Sequence, residues 1–369
     1  MSDPARELRR IGREILGPAF VLFVRGVEAR ARALKLERLY FLAREGSLFQ
    51  QLYEREGGTL PTTYLYVSRL STALPAVHEL GKRELRIARA RPGDRGAAAL
   101  LDALGLPPTF GVGYLDEADF VADPRMRVRV AALAAEARGH LRAYLEREAW
   151  FDTARVGLVD IGWSGTIQDS LMRAFHPEGP DVHGLYFALR DPSDTQADPA
   201  QLASKEGVFV DYRRHRALPE RAVFHFFELF EQAARALHGT TLGYDDGGKP
   251  ILKVHGSDRD AESGSETLVR ALQAGVLEAV EHPEPWRGID RLVFSPTRAE
   301  LDALSRIAHT DDWGADSHLM LGAASASFLQ PHTLWKRFHS SHWKPSLLTR
   351  LDVPFLPALY RWYVKVRRP

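Results

Sequence analysis

The chain has 369 residues, a net charge of +1 and no cysteine, and its hydrophobic and charged residues make up 45% and 26%. This composition is typical of a folded globular protein, and the length predicts one large domain or two smaller ones. The lack of cysteine excludes disulfides, thiolate metal sites and a cysteine nucleophile. The near-neutral charge gives no reason to expect nucleic-acid binding, which needs an excess of Lys and Arg.

Targeting and membrane signals are weak. Arg6, Arg9 and Arg10 have no apolar secretory core behind them. No window of the sequence approaches roughly 18 uninterrupted apolar residues, the length that a membrane-spanning helix needs. We therefore predict a cytoplasmic protein. Any association with the membrane would be at its inner face.

The start of the chain combines one long helical pattern with two short strand patterns. A helical lead-in covers residues 5–37, with Gly17 and Pro18 predicted to break it. Residues 39–42 and 63–67 are runs of β-branched, aromatic and other apolar residues. Continuous runs of this kind are typical of strands buried on both faces of a parallel sheet.

Residues 78–150 carry helical patterns without a comparable strand signal. Strand and helix patterns then return, with a strand at 156–160, a helix at 166–175 and a strand at 182–189. Repeated strand–loop–helix units predict an α/β fold. We expect a Rossmann-like, mainly parallel sheet with helices on both faces, a helical insertion and a helical C-terminal region.

The same patterns predict the domain organisation. Residues 1–77 and 151–250 would form the Rossmann-like α/β core, with 78–150 as the helical insertion. Residues 251–332 would form a helical region, because strand signals are weak there. Residues 333–369 would form a separate basic, aromatic C-terminal segment.

Three predicted strands end in polar turns: Arg44-Glu45-Gly46 after the first, Ser68-Arg69 after the second, and Asp160 to Thr166 after the third. Ligands of open α/β sheets bind outside the carboxyl ends of the strands. These turns are therefore expected to share one crevice, with the residues that follow Asp160 as its best candidate binding loop.

Each residue type in these turns suggests a role. Asp160 and Glu45 are candidate catalytic groups, and Asp160 is also the candidate ligand for a divalent metal such as Mg²⁺; the cofactor is otherwise unknown. Glycines in the loop would let backbone amides approach a phosphate, and the arginines could neutralise it. The candidate ligand- or phosphate-binding residues are Arg44, Gly46, Arg69, Gly162, Trp163, Gly165, Thr166, Gln168 and His238.

Structural roles remain open for the same residues. Asp160 could cap the helix that follows it, Glu45 could complement a helix dipole, and the two arginines could form structural ion pairs. Trp163 could pack in the core or stack on a base or sugar. His238 stands before a glycine of the kind that caps helices, and it could have a local polar role.

The segment 333–369 contains eight Lys and Arg residues and a single acid, Asp352, with aromatic residues interleaved among them. Basic residues that alternate with Trp and Tyr favour binding to a membrane surface, because the rings sit at headgroup level. The alternative is a helix that docks on the protein by its aromatic side and leaves its charges in water.

Five motifs support a family resemblance. They are Leu16-Gly-Pro18, Tyr40-Phe-Leu-Ala-Arg-Glu-Gly46, Tyr64-Leu-Tyr-Val-Ser-Arg69, Asp160-Ile-Gly-Trp-Ser-Gly-Thr-Ile-Gln168 and His238-Gly-Thr-Thr-Leu-Gly-Tyr244. Together they resemble the C-terminal, Rossmann-like region of bacterial haloacid dehalogenase-like (HAD-like) predicted hydrolases, over most of residues 10–345. The HAD nucleophile motif, Asp-x-Asp, is not found before Leu16, so the resemblance does not carry over the hydrolase chemistry.

Such HAD-like proteins are often encoded with glycosyltransferases for rhamnan, O-antigen or capsule synthesis. The resemblance therefore implies an enzyme-like protein of cell-surface polysaccharide synthesis that binds a phosphorylated sugar or nucleotide-sugar, with glycosyltransferases as partners. One alternative is a phosphoribosyltransferase-like enzyme, whose layout the Arg-Glu-Gly and Ser-Gly-Thr turns resemble, although Asp160 stands where an acid pair is usual. The other is a non-catalytic scaffold that recruits glycosyltransferases to the membrane.

Overall fold

The structure is a computed structural model. It describes residues 3–81, 84, 97–114, 116–192, 199–254, 259–310, 318–320, 338–339, 341, 343–351, 353 and 355–366. Within these residues one sheet has five strands: β1 (Arg38–Leu42), β2 (Thr62–Leu65), β3 (Arg155–Trp163), β4 (Asp181–Leu189) and β5 (Lys205–Asp211).

Helices flank these strands along the chain. Those before β3 are α1 (Pro4–Ile11), α2 (Gly17–Ala33), α3 (Gly46–Arg55), α4 (Arg69–Ala73), α5 (Ala97–Ala103), α6 (Glu117–Ala122) and α7 (Pro124–Arg147). Those after β3 are α8 (Thr166–Phe175), α9 (Phe227–Ala234), α10 (Arg259–Leu277), α11 (Pro285–Phe294), α12 (Arg298–Leu304), α13 (Lys344–Arg350) and α14 (Phe355–Val366). Small antiparallel hairpins pair β6 (Thr241–Tyr244) with β7 (Pro250–Leu252), and β8 (Ala308–Thr310) with β9 (His318–Met320).

The five strands are all parallel, in the order β2-β1-β3-β4-β5 across the described sheet. The predicted α/β class with a Rossmann-like parallel sheet is therefore confirmed. The chain adds β2 on one side of β1 and β3 on the other, so the strand order reverses between β1 and β3. In open sheets the crevice at such a switch point is the usual place for a ligand.

Alternating side chains of the strands enter two apolar layers. On one face Phe41 and Phe187 pack with rings from the surrounding helices, among them Phe20 of α2 and Phe49 of α3. On the other face side chains such as Leu158 pack with α7 and α8. Because successive residues of a strand point to opposite faces, the apolar runs of the sequence fill both layers.

The predicted helical insertion has an apolar cluster of its own. Leu100 and Leu101 of α5, Phe120 of α6 and Val130 of α7 are fully or almost fully buried in it. Further along α7, Tyr144 belongs instead to the layer beneath the sheet. One long helix thus joins the insertion to the core, while the exact domain boundaries stay a prediction.

Two strand predictions need correction. The strand predicted to end at Asp160 continues to Trp163, because Gly162 and Trp163 still pair with β4. Asp160 consequently lies within the strand, and the connecting loop is shorter than predicted. The edge strand β5 was not expected, since its apolar run is only Val208-Phe-Val210 and charged residues flank it.

The break predicted at Gly17-Pro18 is also wrong. A π-helical turn, Gly12–Leu16, joins α1 directly to α2. Pro18 follows this turn as the second residue of α2, so the helix continues through the predicted break. None of the helices in the described ranges is long and apolar enough to span a membrane.

Candidate functional site

Asp160 is a buried carboxyl group at the switch point. Its residue is 7% exposed, and its Oδ1 accepts a hydrogen bond from the backbone N–H of Ile161 at 2.8 Å. Burial, followed by the charge of Glu45, raises the pKa of Asp160 to about 8, although nearby N–H groups and Arg69 oppose the rise. Most Asp160 side chains therefore keep their proton at neutral pH.

Glu45 and Arg69 come from the ends of β1 and β2, and β1 lies beside the strand that carries Asp160. Glu45 follows β1, and its Oε2 accepts a hydrogen bond from the N–H of Arg44 at 3.2 Å. Arg69 follows β2 as the exposed first residue of α4. Both side chains act electrostatically on the pKa of Asp160. The structure thus brings together three residues that the sequence predicted to share a crevice.

Glu231 of α9 adds a second carboxyl group with an unusual pKa. Burial and the charge of Glu45 raise its pKa to about 8, and its Oε1 accepts a hydrogen bond from the indole N–H of Trp163 at 2.8 Å. Glu231 is not among the site residues predicted from the sequence. A signal was present, because Glu228 and Glu231 are acids one turn apart within an otherwise apolar, aromatic helix pattern.

Trp163 has its position set by α9 and the turn before it. Its ring makes edge contacts with Phe227 at 5.6 Å and with Phe224 at 6.1 Å between ring centroids. With its N–H donated to Glu231, the part-buried indole connects the strand end to α9. Packing in the core and stacking on a base or sugar therefore both stay open as roles of Trp163, since its ring packs on the protein and also borders the carboxyl groups.

The turn between β3 and α8 needs glycine at two positions. Gly162 has φ +127°, and a Cβ there would lie 2.0 Å from the carbonyl oxygen of Ala188. Gly165 has φ +68°, and a Cβ there would lie 2.6 Å from the hydroxyl of Tyr186. Thr166 begins α8 and is half-buried. This turn therefore combines close backbone packing with a helix N-terminus.

A buried ion pair supports the same turn. Nζ of Lys205, at the start of β5, lies 2.6 Å from Oδ1 of Asp169 in α8. The same ammonium donates to the carbonyl oxygen of Ser164 at 3.0 Å. The side chains of the pair are 0% and 4% exposed, so little water competes with these contacts. Two elements distant in sequence thus hold the turn in place.

Two further candidates have structural contacts. Arg44 is buried, and its carbonyl oxygen accepts a hydrogen bond from the N–H of Ala236 at 3.0 Å, which ties the end of β1 to the chain after α9. Gly46 begins α3, where a Cβ would lie 2.6 Å from the backbone of Phe41. Gly46 therefore allows α3 to start close against β1.

Gln168 lies within α8 and is fully buried. Its amide nitrogen donates to Oγ of Ser204 at 2.8 Å, and its amide oxygen accepts from the hydroxyl of Tyr186 at 2.8 Å. These hydrogen bonds account for Gln168 as an internal link between α8, β4 and the start of β5. The structure does not bring its side chain into contact with the exposed part of the site.

His238 borders the site through Tyr64. Its Nδ1 is 2.9 Å from the carbonyl oxygen of Gly239, which can only accept, so Nδ1 carries the hydrogen. Its Nε2 therefore accepts from the hydroxyl of Tyr64 at 2.7 Å. Burial and then the charge of Glu45 raise the pKa of Tyr64. Tyr64, which was not predicted as a site residue, thus contacts His238 and lies within the electrostatic influence of Glu45.

A pocket of about 320 Å³ adjoins the rings that pack on Trp163. Its lining includes Phe224, Phe227, His225, Lys344 and Tyr360. Burial and the charges of Arg221, Lys344 and Arg190 lower the pKa of His225 to about 4. The N–H of Arg190 donates to the carbonyl oxygen of Trp163 at 2.9 Å, so this cationic area is continuous with the end of β3.

The surroundings of Asp160 do not fit a metal site. Over the described ranges, no three His, Asp or Glu side chains are grouped so that they could hold a metal ion. We therefore derive no chemistry from Mg²⁺ at this position.

Comparison with known proteins gives no independent assignment of the site. No family model matches the chain, and no curated protein is significantly similar to it. The resemblance of the five motifs to HAD-like proteins accordingly stays a prediction.

Proposed function

We propose that this protein is an enzyme that binds a phosphorylated sugar or nucleotide-sugar at the switch point between β1 and β3. The observation that carries the proposal is the meeting of Asp160 in β3 with Glu45 and Arg69, which follow β1 and β2 and act electrostatically on Asp160. Ligands of open parallel sheets bind at this edge, where each strand contributes a side chain.

The carboxyl groups suit acid–base chemistry on such a ligand. Asp160 has a pKa of about 8, so it can donate a proton at neutral pH to an oxygen that leaves the sugar. Glu45 is the negative charge that raises the pKa of both Asp160 and Glu231, and we assign to it the base that takes the proton of an attacking hydroxyl. In such a transfer the attacking hydroxyl loses its proton, and a leaving oxygen that is not already a stable anion gains one.

The phosphate would bind between Arg69 and the turn that begins α8. Backbone N–H groups in the first turn of a helix have no partner within that helix, and the helix dipole favours an anion there. Gly165, with φ +68°, allows the chain to turn from β3 into α8 at this point, and Arg69 provides an exposed cation. The adjoining pocket with Lys344 offers further positive charge, which supports an extended ligand such as a nucleotide-sugar.

The biological setting rests on the family resemblance. HAD-like proteins with these motifs are often encoded with glycosyltransferases of rhamnan, O-antigen or capsule synthesis. We therefore propose that the substrate belongs to cell-surface polysaccharide synthesis and that glycosyltransferases are partners. A cytoplasmic location is part of this proposal, because sugar phosphates and nucleotide-sugars are made there.

Phosphoribosyltransferase-like activity is a second candidate, and one observation favours it. The sequence around Asp160 offers a single acid where an acid pair is usual, but Glu45 acts on Asp160 from the neighbouring strand end. Together the two carboxyl groups could hold a pair of ribose hydroxyls. 5-Phosphoribosyl pyrophosphate is therefore included among the ligands to be tested.

The test compares melting temperatures with and without ligand, and then turnover. The ligands are glucose 1-phosphate, UDP-glucose, 5-phosphoribosyl pyrophosphate and unphosphorylated glucose as a control. A ligand present at about 100 times its Kd stabilises the folded state by about 2.7 kcal/mol, which is readily measured. We expect stabilisation by a phosphorylated compound and none by glucose.

The matched variants are Asp160→Asn and Asp152→Asn. Asp152 is an exposed acid in the turn before β3, so its amide variant controls for the loss of one carboxyl group. We expect Asp160→Asn to reduce kcat by about 100-fold or more, the usual contribution of a general acid, and Asp152→Asn to leave it unchanged. Unchanged turnover in Asp160→Asn would refute the assignment, and no stabilisation by any phosphorylated ligand would favour the scaffold alternative.

A further inference from the structure

Helix α14 has apolar side chains on two opposite faces. On the inner face Pro357 is buried, and Tyr360 and Val364 pack against the main apolar layer. The outer face leaves four large side chains in solvent: Phe355 (65% exposed), Leu359 (52%), Trp362 (59%) and Val366 (53%). These four recur every three or four residues, which is the spacing of one face of a helix.

This outer face is a concentrated patch. Among the residues that the structure describes, five of the eleven exposed large hydrophobic side chains lie on α14, when Tyr363 is included. The other six are Val, Leu or Ile residues spread over the rest of the chain. Single exposed apolar side chains are normal on a protein surface, whereas a contiguous patch indicates contact with another apolar phase.

The orientation of α14 is fixed by a contact on its inner side. Nε of Arg361 lies 2.9 Å from Oδ2 of Asp290 in α11, and both side chains are at least partly buried. A rotation that hid Trp362 against the protein would break this ion pair and expose Tyr360. The outer face is therefore a lasting feature of the folded surface.

Positive charge accompanies the patch. Lys365 is exposed on α14 beside the apolar stripe, and Arg367 and Arg368 follow the helix in the sequence. Lysine at such a position can place its stem along lipid and its ammonium among the headgroups. Trp and Tyr prefer the same depth, because one part of each ring system is apolar and another part is polar.

We propose that α14 is a membrane-surface helix that inserts its outer face between the headgroups of an anionic lipid bilayer. With 12 residues it is about 18 Å long, which is too short to cross the apolar core of a bilayer and suits a helix that lies in the interface. Docking of a second copy on the same face would bring two basic segments together. Anionic lipid instead neutralises their charge, so the charges favour lipid.

The test is co-sedimentation of the purified full chain with vesicles. One set of vesicles contains phosphatidylcholine alone, and the other also contains phosphatidylglycerol. The apolar face is removed by Leu359→Ser with Trp362→Ser. The matched control is Val128→Ser with Val280→Ser, because these side chains are 71% and 76% exposed and lie outside α14.

We expect the native chain to bind the anionic vesicles, and added salt to weaken the binding. The α14 double variant should bind about tenfold more weakly or worse, whereas the control double variant should bind like the native chain. Lys365→Glu keeps the apolar face and should weaken binding to anionic vesicles about fivefold or more. Unaltered melting temperatures would show that each variant is folded.

Three results would overturn the proposal. The first is that the native chain binds neither set of vesicles. The second is that the α14 double variant binds as tightly as its control. The third is a concentration-dependent mass in analytical ultracentrifugation that the α14 double variant abolishes while vesicle binding is undetectable, which would assign the face to a second copy of the chain.

Discussion

The carboxyl group of Asp160 leaves the middle strand of the sheet and lies next to the charge of Glu45. A carboxylate in that position loses most of its hydration and also meets a like charge, so the protonated form is favoured. The two effects explain why one acid can be a proton donor near neutral pH while Glu45, a short distance along the edge, supplies negative charge.

Asp160 should make the stability of the protein depend on pH. Its pKa is about 8 in the folded state and 3.8 in the ordinary, unfolded-like state. The folded state therefore holds this proton more tightly, and its stabilising contribution, complete below the lower pKa, is lost as pH rises towards the higher one. The loss approaches about 1.4 kcal/mol per pH unit.

Asp160→Asn removes this dependence, so we expect the variant to gain stability relative to the native protein as pH rises. Urea unfolding at about pH 5 and about pH 8 measures the difference. Asp152→Asn serves as the exposed control and should show the same difference at both pH values. The assignment of a raised pKa fails if Asp160→Asn behaves like that control.

Gly165 and Gly139 provide a matched pair of glycine-to-alanine changes. Gly165 has φ +68° and no space for a Cβ, whereas Gly139 lies in α7 with nothing near its missing Cβ. We expect Gly165→Ala to destabilise by about 1–3 kcal/mol and Gly139→Ala to stabilise by about 0.4–1 kcal/mol. Thermal unfolding checks both, and destabilisation of equal size in the two variants would contradict the local conformation inferred at Gly165.

At the scale of elements, the contact between β5 and α8 positions the turn that the proposed ligand would meet. Lys205 belongs to an edge strand and Asp169 to the helix after β3, and their ion pair lies below Ser164. A buried pair of this kind stabilises little relative to an apolar pair, but it specifies one arrangement because either charge left alone is very unfavourable.

Lys205→Met should therefore destabilise the protein by about 3–5 kcal/mol, since it leaves the carboxylate of Asp169 without its main countercharge. The control is Arg287→Met, which removes the partner of Glu284 from an exposed ion pair and should cost about 0–1 kcal/mol. Urea unfolding of both variants measures the contrast. Similar losses in the two would mean that water or other groups neutralise Asp169.

At the scale of the whole molecule, the sequence predicted the class of fold from local patterns. Strands β1, β3 and β4 were recognisable because each is a continuous apolar run, and α8 was recognisable from its helical spacing. The edge strand β5 was missed, since a short run between charges has little signal. The order of the strands was not predicted, because it depends on pairing between segments far apart in the chain.

The C-terminal segment shows why a pattern can leave two alternatives open. Its aromatic residues indicated either docking on the protein or contact with a membrane. In the structure some of these rings face the protein and others face solvent. Trp343 is buried and stacks on Phe226 with ring centroids 4.3 Å apart, while Trp362 on α14 is exposed. Which ring faces the protein depends on how the two short helices pack, and composition carries no information on that packing.

The sequence by itself determined that the chain forms an α/β fold and that polar turns follow its strands, because both features are local. The tertiary structure decided which of those turns lie close together. It also decided the burial and the pKa values of their side chains. It brought Glu231 to Trp163 across 68 positions of sequence, and it raised the pKa of Asp160 through burial and the charge of Glu45. Burial and electrostatic interaction depend on distances in space, which only the packed chain sets.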